Sequence, residues 1–263
     1  MLAEQRHAEI LKRVEAGGAR VADLAHDLSV TEETIRRDLE KLGREGRLIR
    51  THGGALPLHE TSRDAPFDVR RVAHHEEKVA IARRAVTHVR ERDVIALDPS
   101  STVHELTRLI PDIPLTVVTN ALIATVRLLN RKNVRVLSTG GLLDQTTCSW
   151  VGSFTHRTLE HLNINKLFLS AKGVDLERGL SEVDDAQADV KRRMMALADE
   201  TYLLVDHSKF RSRSAVLVAG LEEIDVVITD AGVDPQVVQA VQAAGCRVEV
   251  AEGNAASAGD GGA

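Results

Sequence analysis

Residues 31–42 read Thr-Glu-Glu-Thr-Ile-Arg-Arg-Asp-Leu-Glu-Lys-Leu. Thr31 is a good N-cap, and Glu32 and Glu33 fill the first turn, where a helix dipole favours negative charge. Ile35, Leu39 and Leu42 recur at helical spacing and predict the buried stripe of that helix. With the stripe inward, a step of about 100° per residue turns Glu33, Arg36, Arg37, Glu40, Lys41 and Arg44 outward, with Thr34 at the flank. Upstream, Ala3, His7, Ile10, Leu11 and Val14 mark a first helix stopped by Gly17-Gly18. Val21, Leu24, Ala25 and Leu28 mark a second, two-turn helix, joined to the third by the tight link Leu28-Ser29-Val30. Downstream, Gly46 ends the third helix, and residues 47–55 read as a strand and a glycine-containing turn. Three short helices and a hairpin over residues 1–58 have the proportions of a winged helix-turn-helix.

Charge on this segment is local. Between residues 36 and 50 there are six basic side chains (36, 37, 41, 44, 47, 50) against three acidic (38, 40, 45), whereas the whole chain carries a net charge of −5. Phosphate affinity needs such concentration, and base readout needs forked donors on the leading turns of a helix. Arg36 and Arg37 are therefore the first choices for groove contacts. Thr34 suits a phosphate or a thymine methyl, Glu33 a cytosine amino group, and Thr31, Lys41 and Arg44 complete the face. Arg50 and His52, on the hairpin, are placed to reach an adjacent minor groove. Four Phe, one Trp and one Tyr are too few for a surface that binds by stacking bases.

The 263 residues suggest about two domains. Apolar residues make up 43% and charged residues 28%, which excludes disorder over most of the chain and requires an aliphatic core. Pro57, Pro66 and aperiodic charge predict a linker over 59–72, between the head at 1–58 and a second domain at 73–252. Residues 253–263, rich in Gly, Ala and Ser, are expected to be disordered. The second domain opens with a charged helix over 72–92. Apolar runs at 94–97, 115–118, 134–137, 167–169, 202–205, 215–218, 226–228 and 248–250 then alternate with helical patterns at 121–130, 154–162, 185–199 and 235–244. This predicts an α/β domain with a mainly parallel sheet covered on both faces. The longest uncharged run, Ile113–Val126, is short of the ~20 residues that span a bilayer. Cys148 and Cys246 are too few for a disulfide framework or a cysteine zinc site, so a reducing cytoplasm fits and both read as small apolar residues. His74-His75 adjoin on one helix and do not share a face, and no metal site or cofactor is predicted.

Open α/β sheets bind ligands outside the carboxyl ends of their strands. There this sequence sets Asp98 with Ser100, Ser101 and Thr102; Thr119 with Asn120; Gly140 with Gly141; Lys172, Gly173 and nearby Asp175; and Asp206 with Ser208 and Lys209. Each cluster alone reads as a turn or a cap; five in succession predict one shared pocket. Hydroxyls and N–H groups at a helix start suit an anion, which assigns Ser100–Thr102 to a phosphate. Trp150 reads as a packing residue or as a ligand platform.

The run Thr34-Ile35-Arg36-Arg37-Asp38-Leu39, with Arg50-Thr-His-Gly-Gly-Ala55 downstream, resembles the N-terminal signature of the DeoR family of bacterial transcriptional regulators, with Thr31 where a Ser is usual. The resemblance continues through Asp98–Thr102, Val118-Thr119-Asn120, Gly140-Gly141, Gly173-Val174-Asp175 with Gly179, Val190-Lys191-Arg192 and Asp206–Phe210, so it covers roughly residues 3–250. It implies a sensor domain similar to ribose-5-phosphate isomerase and CoA-transferase folds that binds a phosphorylated sugar or related metabolite. It also implies a dimer or larger homo-oligomer on an operator in double-stranded DNA, with repression relieved by the metabolite. Ser100 departs from the family's Gly, and its Cβ narrows the loop. Lys172 stands where the family varies and suggests a contact specific to a subgroup. Lys191 reads either as an effector contact or as an exposed helix residue. The alternative function is a sugar-phosphate isomerase or CoA-transferase-like enzyme carrying a DNA-binding head. Against it, the isomerase's Asp-Gly-Ala-Asp-Glu string is absent between Leu169 and Asp175, and no glutamate nucleophile in a Gly-rich setting is evident. The chain is therefore not expected to be an enzyme.

Overall fold

The computed structural model describes residues 3–15, 18–44, 47–51, 53–56 and 67–252, the side chains of Arg44, Ile49 and Leu56 aside. Contacts divide the chain into two compact units, Met1–His75 and Glu76–Ala263.

The first unit runs α1 (Ala3–Glu15), β1 (Ala19–Arg20), α2 (Val21–Asp27), α3 (Glu32–Arg44), β2 (Ile49–Thr51), β3 (Gly54–Leu56) and α4 (Phe67–Val72). The stripe expected on the third helix is buried: Ile35, Leu39 and Leu42 pack with Ile10, Val14, Leu24, Leu28 and Leu48 in one aliphatic core. Strands β2 and β3 form the antiparallel hairpin and β1 adds to its far edge, in the order β1-β3-β2. Gly54 is required there, because a Cβ would overlap the carbonyl of Ala19. Of the expected linker, residues 59–66 lie outside the described residues, as do His52 and the tail at 253–263. Residues 67–72 are helical instead: Phe67 is buried, and the Arg70 guanidinium stacks 5.7 Å over its ring. Six residues are too few to show a period, which is why this turn of helix read as linker.

The second unit opens with α5 (His75–Val86), shorter than the 72–92 expected. It continues β4 (Val94–Leu97), α6 (Ser101–Leu109), β5 (Leu115–Thr119), α7 (Leu122–Leu128), β6 (Val134–Ser138), β7 (Leu142–Asp144), β8 (Ser149–Val151), α8 (Ser153–Leu159) and β9 (Ile164–Leu169). Then come β10 (Gly173–Asp175), β11 (Gly179–Glu182), α9 (Asp185–Leu197), β12 (Ala198–Leu204), β13 (Val216–Ala219), β14 (Val226–Asp230), α10 (Pro235–Ala243) and β15 (Arg247–Ala251). Seven strands form one sheet in the order β15-β14-β12-β9-β4-β5-β6, and every pairing in it is parallel. Its inner strands are buried in nearly continuous runs because both faces are covered, while the edge strands β6 and β15 carry exposed side chains. On β9, Leu167 and Leu169 enter one core with Met194, Val237 and Val241. Phe168 enters the other with Ile81, Ala85 and Leu106.

One expected strand lies elsewhere. The 215–218 run is β13, which pairs antiparallel with β11 in a small sheet of order β10-β11-β13. A parallel neighbour needs a crossover, usually a helix, and the only helical segment between β12 and β13 is the single turn His207–Lys209. The β7–β8 hairpin and the β10–β11 pair leave no mark in the sequence, since these strands of three or four residues carry neither a continuous apolar run nor a sustained alternation. Among the described residues no helix is long and apolar enough to cross a membrane.

Candidate DNA-reading helix and effector site

Helix α3 starts where Thr31 Oγ1 accepts the N–H of Thr34 at 3.2 Å and meets the Thr34 hydroxyl at 3.0 Å. Glu33, Arg36, Arg37 and Lys41 stand exposed on its outer face and Thr34 is half-buried. Each leading arginine is paired one turn back: Arg36 with Glu32 at 2.5 Å and Arg37 with Glu33 at 3.2 Å. Arg50 is exposed on β2 beside the helix, since a Cβ on Gly43 would lie 3.9 Å from its own Cβ. Arg44 closes the helix, its side chain undescribed.

Asp38, within the same motif, faces the other way. It is buried and takes Arg6 Nε at 2.5 Å, Arg6 NH2 at 3.1 Å and His7 Nε2 at 3.0 Å. Burial alone would raise its pKa, but the hydrogen bonds from Arg6 and His7 outweigh that and hold it below the usual carboxylate value. Asp38 therefore ties α1 to α3 and sets how α3 is presented. In the sequence Asp38 is one more acidic residue of the segment, with nothing to mark its partners.

In the second unit the polar clusters do fall at the carboxyl ends of neighbouring strands. Asp98, just past β4, is buried and organises the loop into α6: Oδ1 takes the N–H of Ser100 at 3.0 Å and Oδ2 that of Ser170 at 3.1 Å. Ser100 adopts an extended φ of −74° and its hydroxyl caps Val103 N–H at 3.2 Å, so its Cβ costs the backbone nothing and closes one donor of the helix start. Ser101 and Thr102 follow, buried in the first turn of α6, where backbone N–H groups have no intrahelical acceptor.

Lys191 is neither exposed nor open. Its ammonium lies 3.0 Å from Asp98 Oδ2, donates to Ser170 O at 2.5 Å and donates to Glu182 Oε1. Three protons thus meet three protein acceptors. Burial would push its pKa down, but the carboxylates of Glu182 and Asp98 raise it above the ordinary lysine value, so the group is charged. It welds the ends of β4, β9 and β11 together. Glu182 was missed, a lone carboxylate in a four-residue strand giving no signal in sequence.

Past β5, Thr119 donates to Leu97 O at 2.7 Å and accepts Ala121 N–H at 3.0 Å, which binds strand to strand. Asn120 exchanges bonds with the β7–β8 hairpin, Nδ2 to Trp150 O at 3.0 Å and Trp150 N–H to Asn120 O at 2.8 Å. Its Oδ1 is buried and has no partner among the described residues, and neither has Thr139 Oγ1 past the adjacent strand β6. Gly140 and Gly141 follow with φ of +62° and +128°, and a Cβ on Gly141 would run into the Thr155 hydroxyl and to within 2.7 Å of Val151 O.

Lys172 is half-buried on the β9–β10 link, and a Cβ on Gly173 would lie 2.6 Å from Ser212 O. Asp175 is at the tip of the β10–β11 turn, where Arg213 at 2.6 Å and the N–H groups of Arg178 and Glu177 hold its pKa at about 2. Past β12, fully buried Asp206 caps the turn carrying half-buried Lys209, accepting Ser208 N–H at 3.1 Å and the Ser208 hydroxyl. His207, not singled out from sequence, sits 2.8 Å from Asp230 Oδ2.

A helix-turn-helix head followed by an α/β domain with polar clusters at its strand ends is the arrangement of a DNA-binding transcriptional regulator. A DeoR-like helix-turn-helix model matches residues 6–61, and the DeoR C-terminal sensor domain matches residues 73–231. The chain is 41% identical over 243 residues to the uncharacterised HTH-type transcriptional regulator YulB of Bacillus subtilis, covering 92% of this chain and 94% of that one. It is 37% identical to the L-fucose operon activator of Haemophilus influenzae, covering 81% and 86%. The chain belongs to the DeoR family and is a DNA-binding transcriptional regulator. Among solved structures, ribose 5-phosphate isomerase A of Methanocaldococcus jannaschii aligns over 51% of this chain and 53% of its own, at 17% identity and a TM-score of 0.38, a similarity too low to bear on the site.

Proposed function

We propose that this regulator represses a carbohydrate-metabolism operon and releases it when a phosphorylated sugar or related metabolite occupies the strand-end cleft. The head, residues 1–58, reads a double-stranded operator through α3 and the β2–β3 hairpin. One small head buries too little for tight specific binding, so two or more copies act together on a repeated or palindromic site. The effector lies against Ser101 and Thr102 on the phosphate side and Asn120, Gly140 and Gly141 beyond them, with Lys172 and Lys209 as its cationic partners. Asp98, Thr119 and Lys191 hold that cleft together rather than touch the ligand. The chain is a cytoplasmic regulator without a cofactor, and metabolite binding shifts DNA occupancy only by favouring one arrangement of the heads over another.

The observation that carries this reading is that two of the buried polar atoms without a partner among the described residues, Asn120 Oδ1 and Thr139 Oγ1, stand at the ends of adjacent strands. Buried polar groups without partners are costly, and a hydroxylated ligand at the ends of β5 and β6 supplies the missing bonds. The enzyme alternative finds less support. An enediol isomerase needs a carboxylate base held beside its substrate; of the carboxylates available, Asp175 is engaged by Arg213, Glu177 is 88% exposed to solvent, and Asp206 accepts the N–H and hydroxyl of Ser208. The test is a thermal-shift screen against sugar and polyol phosphates, since a ligand raises apparent stability with the logarithm of its saturation. A hit should lose its effect on operator release in Lys209→Ala while DNA binding persists. Sustained turnover of ribose 5-phosphate, or no hit in either class of phosphate, would overturn the proposal.

A further inference from the structure

The first turn of α3 holds an arrangement that duplex binding as such does not call for. Glu32 and Glu33 stand one turn before Arg36 and Arg37, and each arginine is bound by the carboxylate four residues back, at 2.5 and 3.2 Å. The pairs are open to solvent: Arg37 is 78% and Arg36 50% exposed. Water and phosphate can therefore reach both guanidinium groups. The two leading turns thus present two positive and two negative charges, a sum of zero where a reading helix would otherwise present +2. Helix N-termini attract phosphate through their free N–H groups and dipole. Here that end is occupied by carboxylates.

The consequence differs between duplexes. On DNA of arbitrary sequence, phosphates that draw Arg36 and Arg37 away leave two bare carboxylates facing a polyanion. On a cognate site, exposed base amino groups, cytosine N4 or adenine N6, donate to those carboxylates. We infer that Glu32 and Glu33 are specificity determinants of α3, which restrain Arg36 and Arg37 against non-cognate DNA. The inference rests on α3 being the DNA-reading helix.

The test uses the full chain and its Glu32→Gln, Glu33→Gln and double variants. Fluorescence anisotropy measures binding to a random-sequence duplex of about 24 base pairs and to the duplex that the wild type enriches from a random library, across a salt series. Each freed arginine that neutralises one more phosphate steepens the salt slope by about 0.9, which at 0.15 M salt is about fivefold in affinity. The random duplex should gain about that factor per glutamate, the enriched duplex less, so that their ratio falls. In an Arg36→Ala background the Glu32→Gln gain should shrink, since no arginine remains to be released; an undiminished gain would mean simple charge removal and overturn the pairing argument. Unchanged random-duplex affinity and slope, with helix content by circular dichroism as in the wild type, overturns the inference. So does a Glu33→Gln variant that loses only enriched-duplex affinity, which makes Glu33 a base reader alone. If the wild type enriches no sequence at all, the DNA-reading assignment of α3 fails and takes this inference with it.

Discussion

Replacing Lys191 with methionine probes the centre of the sensor unit. The ammonium is buried against Asp98 at 3.0 Å, Ser170 O at 2.5 Å and Glu182, and both carboxylates are themselves buried. Methionine keeps most of the side chain's volume, one heavy atom shorter, but leaves two buried carboxylates facing one another without a cation. Breaking a buried pair in this way costs about 3–5 kcal/mol, because the stranded charge keeps its desolvation penalty. For a unit of this size, Glu76–Ala263, each kcal/mol moves the melting temperature by about 2–4 °C, so the drop should be about 6–20 °C. Differential scanning calorimetry of the full chain measures it. Adding Glu182→Gln should recover part of the loss by removing one of the two stranded charges, which separates electrostatics from lost packing. A fall below about 3 °C, or a double variant no more stable than Lys191→Met alone, would refute the view that this cluster is a closed electrostatic weld.

Two further outcomes follow from the same geometry. Asp175 is held at about 2, below its unfolded value of about 3.9. Its stabilising contribution is therefore complete above about pH 4 and lost as pH falls toward 2, and Arg213→Ala should lower stability above pH 4 with the difference vanishing near pH 2. Carboxyl NMR titration should show Asp175 moving up toward the ordinary range. Gly141→Ala places a Cβ against Thr155 and Val151 at a φ of +128°, whereas Gly140→Ala at +62° meets nothing within 4 Å. Chemical denaturation should show about 1–2 kcal/mol lost for Gly140→Ala, the left-handed penalty alone, and clearly more for Gly141→Ala. Equal losses would mean the loop relaxes freely.

How much of this could be read from sequence depends on the range of the interaction. The stripe of Ile35, Leu39 and Leu42 and the cap at Thr31 are encoded within a dozen neighbouring residues, and all fall where the periodicity puts them. Seven of the eight apolar runs lie in the parallel sheet, for each is separated from the next by a segment able to cross over. The eighth, at 215–218, has the same composition; only the missing crossover sends β13 to the small antiparallel sheet. The five polar clusters do stand at strand ends. Their atoms, however, divide between those saturated within the protein and those left without a partner among the described residues, a division that residue type does not reveal: Lys191 and Thr119 are saturated by protein partners, while Asn120 Oδ1 is not.

Short-range order along the chain is what dictated the helices, the hairpin, the strand runs and the sites of the loops, since capping, periodicity and burial on a covered face act over a few residues. Only the folded arrangement decided that Asp38 would reach Arg6 and His7, that Lys191 would meet Asp98 and Glu182, and that the β7–β8 hairpin would cover Asn120. Charge pairing and hydrogen-bond saturation depend on distances of about 3 Å between residues far apart in sequence. Which strand lies beside which sets those distances.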